Sequence, residues 1–329
     1  MKAQDTAIKW AGTVNEVQIG ATRKEQGTRE TVVAVGGARS LPGLNYEGPA
    51  GHPPAIAVEI WDVAPDTWPA AIRESYGDVV NDAGAWAKKA AELGADLICL
   101  RLAGTHPAGA DKGADNAAQT VRAVLESVDI PLIVWGCDVE DKDNVVLPVC
   151  SQAAKGENCL FGSIKEKNYR TLVASCLADG HKLIAESPCD INIAKQLNIL
   201  AHDVGFPLEN IVIFPTTAAL GCGQEFIYSI MERTRIAGLT GDPLMRQPLL
   251  CDVGSQAWRT REASSAEEDV PGWGSAQTRG PLWEAITATN YLLAGANLII
   301  MRHPAAIQIA QASIQGLQAS GAHKPATVS

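Results

Sequence analysis

Arg302 and His303 follow directly on the apolar run 297–301, and Asp252 sits at the end of another, 248–253. A guanidinium, an imidazole and a carboxylate released where buried strands end are residue types that bind anions or amides and move protons. The same position after the other apolar runs holds Glu59 and Asp62, Arg101, Cys137 and Asp138, Ser163, Glu186 and Ser187, and Thr216 and Thr217. Gly254 and Trp258 open the long segment after Asp252. Gly221-Cys-Gly223 precedes an amphipathic helix, where glycines free backbone N–H groups for an anion or permit a close approach. Each feature also has a plainer structural use. Capping of the following helix accounts for Asp190 before Ile191-Asn-Ile-Ala, a turn accounts for His303, and tryptophans also anchor long loops.

Other chemistries lack their residues. There is no H-E-x-x-H for zinc and no G-x-S-x-G elbow for acyl transfer. No lysine lies firmly within a strand end as a Schiff base requires, although Lys165 and Lys182 come near. The eight cysteines form no C-x-x-C pair and several fall in apolar runs, so they read as buried small hydrophobes in a reducing cytoplasm. With 27 Lys+Arg against 37 Asp+Glu the formal net charge is -10, which argues against a nucleic-acid partner. No apolar run reaches the roughly 18 residues of a membrane span, and the first residues do not read as a signal peptide.

The elements that must position these residues alternate strictly. Apolar, β-branched runs at 55–61, 96–102, 131–135, 158–163, 181–186, 210–214, 248–253 and 297–301 read as strands buried on both faces. Helical periodicity follows each of them, at 83–93, 114–127, 142–154, 168–178, 191–204, 224–237, 281–293 and after Pro304. Leu93-Gly94 and Ala294-Gly295 are helix ends with a left-handed glycine before the next strand. Eight such units predict an α/β fold, a (β/α)8 TIM barrel, with an open doubly wound sheet as the competing architecture. Residues 1–54 read as a lead-in with an N-terminal β-hairpin at 14–36, its tip at Glu25-Gln-Gly27, plugging the barrel bottom. The barrel then runs over 55–320, and 321–329 is a polar tail. The 254–279 segment, with Trp258, Trp273 and the acidic run Glu267-Glu268-Asp269, reads as an open loop far longer than a usual βα connection.

At this level of detail the chain resembles a known family. The carriers are Glu232-Arg-Thr-Arg-Ile-Ala-Gly238, Ala257-Trp-Arg259, Glu262-Ala-Ser264, Pro271-Gly-Trp-Gly274, Arg279-Gly280, Leu282-Trp-Glu-Ala285 and Met301-Arg-His-Pro304, with Asp190-Ile-Asn-Ile-Ala-Lys-Gln-Leu-Asn-Ile199 and Gly156-Glu-Asn158 earlier. These are similar to the small subunit of the corrinoid iron–sulfur protein, the CO dehydrogenase/acetyl-CoA synthase delta subunit family, over nearly the whole chain. Phe214-Pro215 departs from the pattern, because an acidic residue is expected before that proline.

The resemblance implies a heterodimer that carries a methyl group on cobalt in the reductive acetyl-CoA pathway. Its large subunit holds the [4Fe–4S] cluster and the principal corrinoid domain, and the corrinoid lies at the interface with the small subunit. The methyl group comes from methyltetrahydrofolate through a separate methyltransferase and goes to the CO dehydrogenase/acetyl-CoA synthase. This chain has neither a four-cysteine cluster motif nor D-x-H-x-x-G, so its expected part is to cap the corrinoid. Asp252, Gly254, Trp258, Gly221, Gly223, Arg302 and His303 are the residues expected to face it. On this reading Arg302→Ala weakens corrinoid retention or heterodimer affinity and leaves the melting temperature nearly unchanged. The alternative is a methyltetrahydrofolate-dependent methyltransferase with its own pterin site, for which Asp62, Asp138 and Asp252 with Asn45 are available.

Overall fold

The computed structural model describes residues 7–321. Its first elements are the expected hairpin, β1 (Glu16–Ile19) antiparallel to β2 (Val33–Gly36) with Val17 opposite Val35. Alternation is what fixes its orientation: Val17 and Ile19 are buried while Glu16 and Gln18 face out. Val17, Ile19 and Val35 pack in one apolar cluster with Ala55, Leu97, Leu160 and Leu298, which begin or nearly begin barrel strands. Gly20 N donates to Asn158 O at 2.8 Å and Arg29 pairs with Glu157 at 2.9 Å, so the hairpin is fastened across the bottom of the barrel.

The chain then builds the barrel. In order come β3 (Ala55–Trp61), α1 (Ala70–Tyr76), α2 (Ala83–Glu92), β4 (Leu97–Arg101), α3 (Ala114–Ser127), β5 (Leu132–Trp135) and α4 (Glu140–Ala153). Next are β6 (Leu160–Ile164), α5 (Tyr169–Asp179), β7 (Lys182–Glu186), α6 (Ile191–Asp203), β8 (Ile211–Phe214) and α7 (Gln224–Thr240). The last stretch is β9 (Leu250–Asp252), α8 (Val253–Ala257), α9 (Arg261–Ser264), α10 (Ala276–Ala294), β10 (Leu298–Met301) and α11 (Pro304–Gly321). All eight barrel strands are parallel, in the order β8-β7-β6-β5-β4-β3-β10-β9. A single bridge, Ile213 to Leu249, joins the two ends and nearly closes the ring. Asp190 does cap α6, its carboxylate accepting from Asn192 N at 2.7 Å. Gly295 ends α10 in the left-handed region at φ 99, where a Cβ would also come within 2.9 Å of Pro42.

Three features depart from the expected elements. Residues 70–76 form α1, which the sequence pattern does not announce. The 254–279 segment is not an open loop, because α8, α9 and the start of α10 occupy much of it. Helix α10 begins at Ala276 rather than Pro281. The proline lies one turn inside, where its missing N–H forfeits a single intrahelical bond. Among the described residues no helix is long and apolar enough to cross a membrane. Apart from Gly321, the expected tail at 321–329 lies outside the described residues.

Candidate functional site at the mouth of the barrel

Each barrel strand releases its last side chain at the mouth, and the charged ones there are tied to one another. Glu59 of β3 is fully buried. Arg302, just past β10, grips it with both ends of its guanidinium, Nε to Oε2 and Nη2 to Oε1, each at 2.9 Å. Arg101 of β4 donates to Glu59 at 3.0 Å, to Asp252 at 2.7 Å and to Asp138 at 3.2 Å. Trp61 Nε1 adds a further donor to Glu59 at 2.6 Å. Burial alone would raise the Glu59 carboxyl, but Arg302 and Arg101 overcome it and hold the group at about 2. The Arg302 guanidinium also lies over Trp68, 4.3 Å from the ring centre. Both arginines are therefore consumed inside the protein. Arg302 also lines the cavity of the mouth.

A second buried carboxylate holds the exit of β10. Glu284 of α10 accepts from Arg302 N at 2.6 Å, His303 N at 3.1 Å and Trp258 Nε1 at 2.7 Å. Its burial pushes its carboxyl up to about 7 even with those donors opposing. Trp258 is 3% exposed and stacks on His303 at 5.7 Å. It anchors the segment beneath the mouth, the structural use that a tryptophan after this strand also has. His303 is likewise interior: burial lowers its imidazole to about 4 and its Nδ1 accepts from Ala305 N at 3.1 Å, which is the turn role.

Gly254 belongs to this packing. A Cβ there would lie 2.7 Å from Arg302 Cγ and 2.9 Å from Arg302 N. Gly254→Ala is expected to cost about 1–3 kcal/mol by overpacking, read as a lower urea midpoint. An unchanged midpoint would mean that the β10 exit yields freely.

Above this floor opens a cavity of about 870 Å³. Trp61, Trp135 and Phe214 supply apolar wall, and Asp138, Lys165, Glu186, Asp252 and Arg259 supply charge. Phe214 packs edge-on against Trp135 at 5.2 Å. Ser163 donates a short bond to Glu186, and Lys165 lies 3.5 Å from the same carboxylate. Burial raises the Glu186 carboxyl, and Asp138 adds to the rise. Arg259 is exposed at the rim and has no ion pair among the described residues.

Of the residues expected to face a cofactor, Asp252 and Arg302 line this cavity, whereas Gly254, Trp258 and His303 support it from below. Gly221 and Gly223 lie apart, at φ 76 and 93 in the turn before α7. The pterin set is not assembled either. Asn45 lines a different cavity near the barrel bottom, Asp62 accepts from Gly104 N at 2.7 Å, and Asp138 and Asp252 both answer Arg101. Sequence reasoning missed Glu284, Trp68 and Tyr76, whose hydroxyl donates to Arg302 O at 2.6 Å. The available signal for Glu284 was a carboxylate set among the apolar positions of its helix. Among the described residues no three His, Cys, Asp or Glu side chains converge as a metal site would, and of the cysteines only Cys189 and Cys222 are exposed.

Comparison with known proteins bears on this site. The family model described as CO dehydrogenase/acetyl-CoA synthase delta subunit matches residues 16–310. The acetyl-CoA decarbonylase/synthase complex subunit delta of Archaeoglobus fulgidus is 38% identical over 308 residues, covering 92% of this chain and 68% of the relative. Its counterpart in Methanopyrus kandleri is 36% identical over 306 residues, covering 92% and 75%. Among solved structures, a dihydropteroate synthase of Xanthomonas albilineans superposes with a TM-score of 0.54 at 15% identity, covering 83% of this chain and 95% of that one. One from Coxiella burnetii superposes with a TM-score of 0.54 at 13% identity, covering 85% and 99%. These two share the barrel fold.

Proposed function

The chain belongs to the CO dehydrogenase/acetyl-CoA synthase delta subunit family, and from that premise we propose that it is the capping subunit of a cytoplasmic two-chain corrinoid methyl carrier. In this reading the large subunit holds the [4Fe–4S] cluster and most of the corrinoid, and the barrel mouth covers the corrinoid's exposed side. A methyltetrahydrofolate:corrinoid methyltransferase and the CO dehydrogenase/acetyl-CoA synthase are the two enzymes it meets in turn, in the reductive acetyl-CoA pathway.

One observation carries the proposal. The mouth is a cavity of about 870 Å³ whose floor charges are already paired within the chain. Such a floor is rigid and electrostatically satisfied. It suits a flat macrocycle fringed by amides better than a small charged substrate, which would need free countercharges. The residues present fit that group: Trp61 and Phe214 offer apolar wall that excludes water, and Thr216, Gln256 and Arg259 offer donors and acceptors at amide reach. When bound, the corrinoid supplies a cobalt that accepts a methyl group and passes it on. The part of this chain is to bind, orient and keep the site dry.

The alternative, a methyltransferase with its own pterin site, finds less support, since Asp138 and Asp252 are both spent on Arg101. Two measurements separate the readings. The isolated chain is expected to purify colourless, with cobalt and iron near zero by elemental analysis. Adding corrinoid-loaded large subunit should quench its tryptophan emission, less so in Trp61→Phe, while methyltetrahydrofolate produces no saturable heat. Stoichiometric cobalt in the chain alone, or saturable methyltetrahydrofolate binding to it, would overturn the capping role.

A further inference from the structure

The block Glu232-Arg-Thr-Arg-Ile-Ala-Gly238 has no part in the mouth. It lies on α7, and its Arg235 points into a second cavity, of about 590 Å³, near the bottom of the barrel. This cavity lies between the 38–54 lead-in and the C-terminal ends of α10 and α11. Its walls are largely apolar, with Leu41, Pro42, Leu292, Leu293 and Ile314 among them.

Arg235 is only 4% exposed, yet no carboxylate among the described residues pairs with it. Its Nη2 donates to Gly295 O at 2.7 Å and to Asn297 Oδ1 at 2.9 Å. These two acceptors use up Nη2 and leave Nε and Nη1 without an acceptor among the described residues. Burying a guanidinium costs several kcal/mol unless a countercharge offsets it. Elsewhere in this chain the buried arginines have that countercharge: Arg29 has Glu157, Arg101 has Glu59 and Asp252, and Arg302 has Glu59. Burial lowers Arg235 to about 10 with no charge opposing the shift. Asn297 also accepts from Leu249 N at 3.1 Å, so the guanidinium is braced by the strand ends. Gly295 keeps the space beside it clear, since a Cβ there would sit 3.4 Å from Nη2.

A fixed single cation in a mostly apolar cavity of this size has the composition of a small-ligand site. We propose that the bottom cavity binds a small amphiphilic carboxylate, its charged end on Arg235 and its apolar body along the walls formed by α10 and α11. A single guanidinium balances a single carboxylate, and apolar walls do not meet the remaining oxygens of a phosphate. The proposal is independent of the corrinoid reading, because it uses no residue of the mouth.

Calorimetric titration of the full chain with sodium octanoate, 1-octanol and inorganic phosphate tests it. Octanoate is expected to bind saturably at one per chain, with octanol and phosphate each weaker by about tenfold or more, a 1.4 kcal/mol difference. Arg235→Gln should weaken octanoate by at least about that factor. Should Arg235→Gln fail to fold, Leu293→Glu replaces it. Leu293 is 47% exposed on the cavity wall, so the substitution is tolerated by the fold and sets a repelling carboxylate in the site. Absence of saturable octanoate binding would overturn the site. Octanol binding as tightly as octanoate, or no weakening in a folded variant, would remove Arg235 from it. Phosphate binding as tightly as octanoate would overturn the choice of an amphiphile.

Discussion

Arg302→Ala is expected to lower the melting temperature by roughly 4–7 °C. The substitution removes two of the bonds that hold Glu59, a carboxylate with 0% exposure, and leaves it leaning on Arg101 and Trp61 alone. Breaking a buried pair from one side costs about 3–5 kcal/mol, because the remaining charge stays buried without its partner. Acid unfolding should shift with it. Glu59 is depressed from 4.5 to about 2, so its contribution is present above pH 4.5 and is lost as the pH falls toward 2. In the variant the contribution is smaller and its loss is complete at a higher pH. Arg302→Lys should recover only part of the stability, since an ammonium cannot span both carboxylate oxygens. An unchanged melting temperature, with affinity for the proposed large subunit reduced, would mean that Arg302 works outward.

Arg279→Ala should loosen the segment after β9 while leaving the barrel intact. The Arg279 side chain donates to Glu262 O at 2.6 Å, to Gly274 O at 2.8 Å and, by a short bond, to Ser265 O. It also lies over Trp273 at 5.9 Å. One side chain thus ties three carbonyls that no helix satisfies, and the acidic run 267–269 stays exposed between them. Bonds to a charged donor contribute about 1.5–3 kcal/mol each. Losing the set should raise hydrogen exchange across 262–274 by about a thousandfold or more, at about 1.4 kcal/mol per tenfold. Global stability should fall far less, because the barrel core does not depend on the clasp. If the segment serves partner docking, methyl transfer with at least one partner enzyme slows in parallel. Exchange rates in the variant equal to wild type would show that α8 and α9 hold the segment unaided.

The barrel was legible because its signal is repeated. Runs such as Leu-Ile-Cys-Leu at 97–100 are buried on both faces, and several are followed by a helix with a capping residue or a terminal glycine. Asp190 is such a case, and its capping bond is present. The mouth was legible only as a list. Reading strand ends finds Glu59, Arg101, Asp252 and Arg302, but nothing in their spacing tells that the arginines turn inward onto a carboxylate 42 residues from one of them and 243 from the other. Pairing of that kind is set by barrel closure, which brings β3 between β4 and β10. The direction of Trp258 was illegible for the same reason. A tryptophan after a strand can face a ligand or the core, and Gly280 decides it: a Cβ there would lie 2.4 Å from the Trp258 ring, so the glycine opens the slot that takes it inward. Helix α1 escaped notice because its seven residues are too few to display a period.

The hairpin at the bottom sets the traffic of the molecule. Val17, Ile19 and Val35 stopper the end where strands begin, and the strand side chains above them fill the bore. The barrel is therefore a blind vessel with one door. Whatever is presented at the mouth must leave by the way it came, and two large visitors cannot stand there together. If the mouth caps a methyl carrier as proposed, donor and acceptor must take turns there, so an excess of either one should slow the other's access.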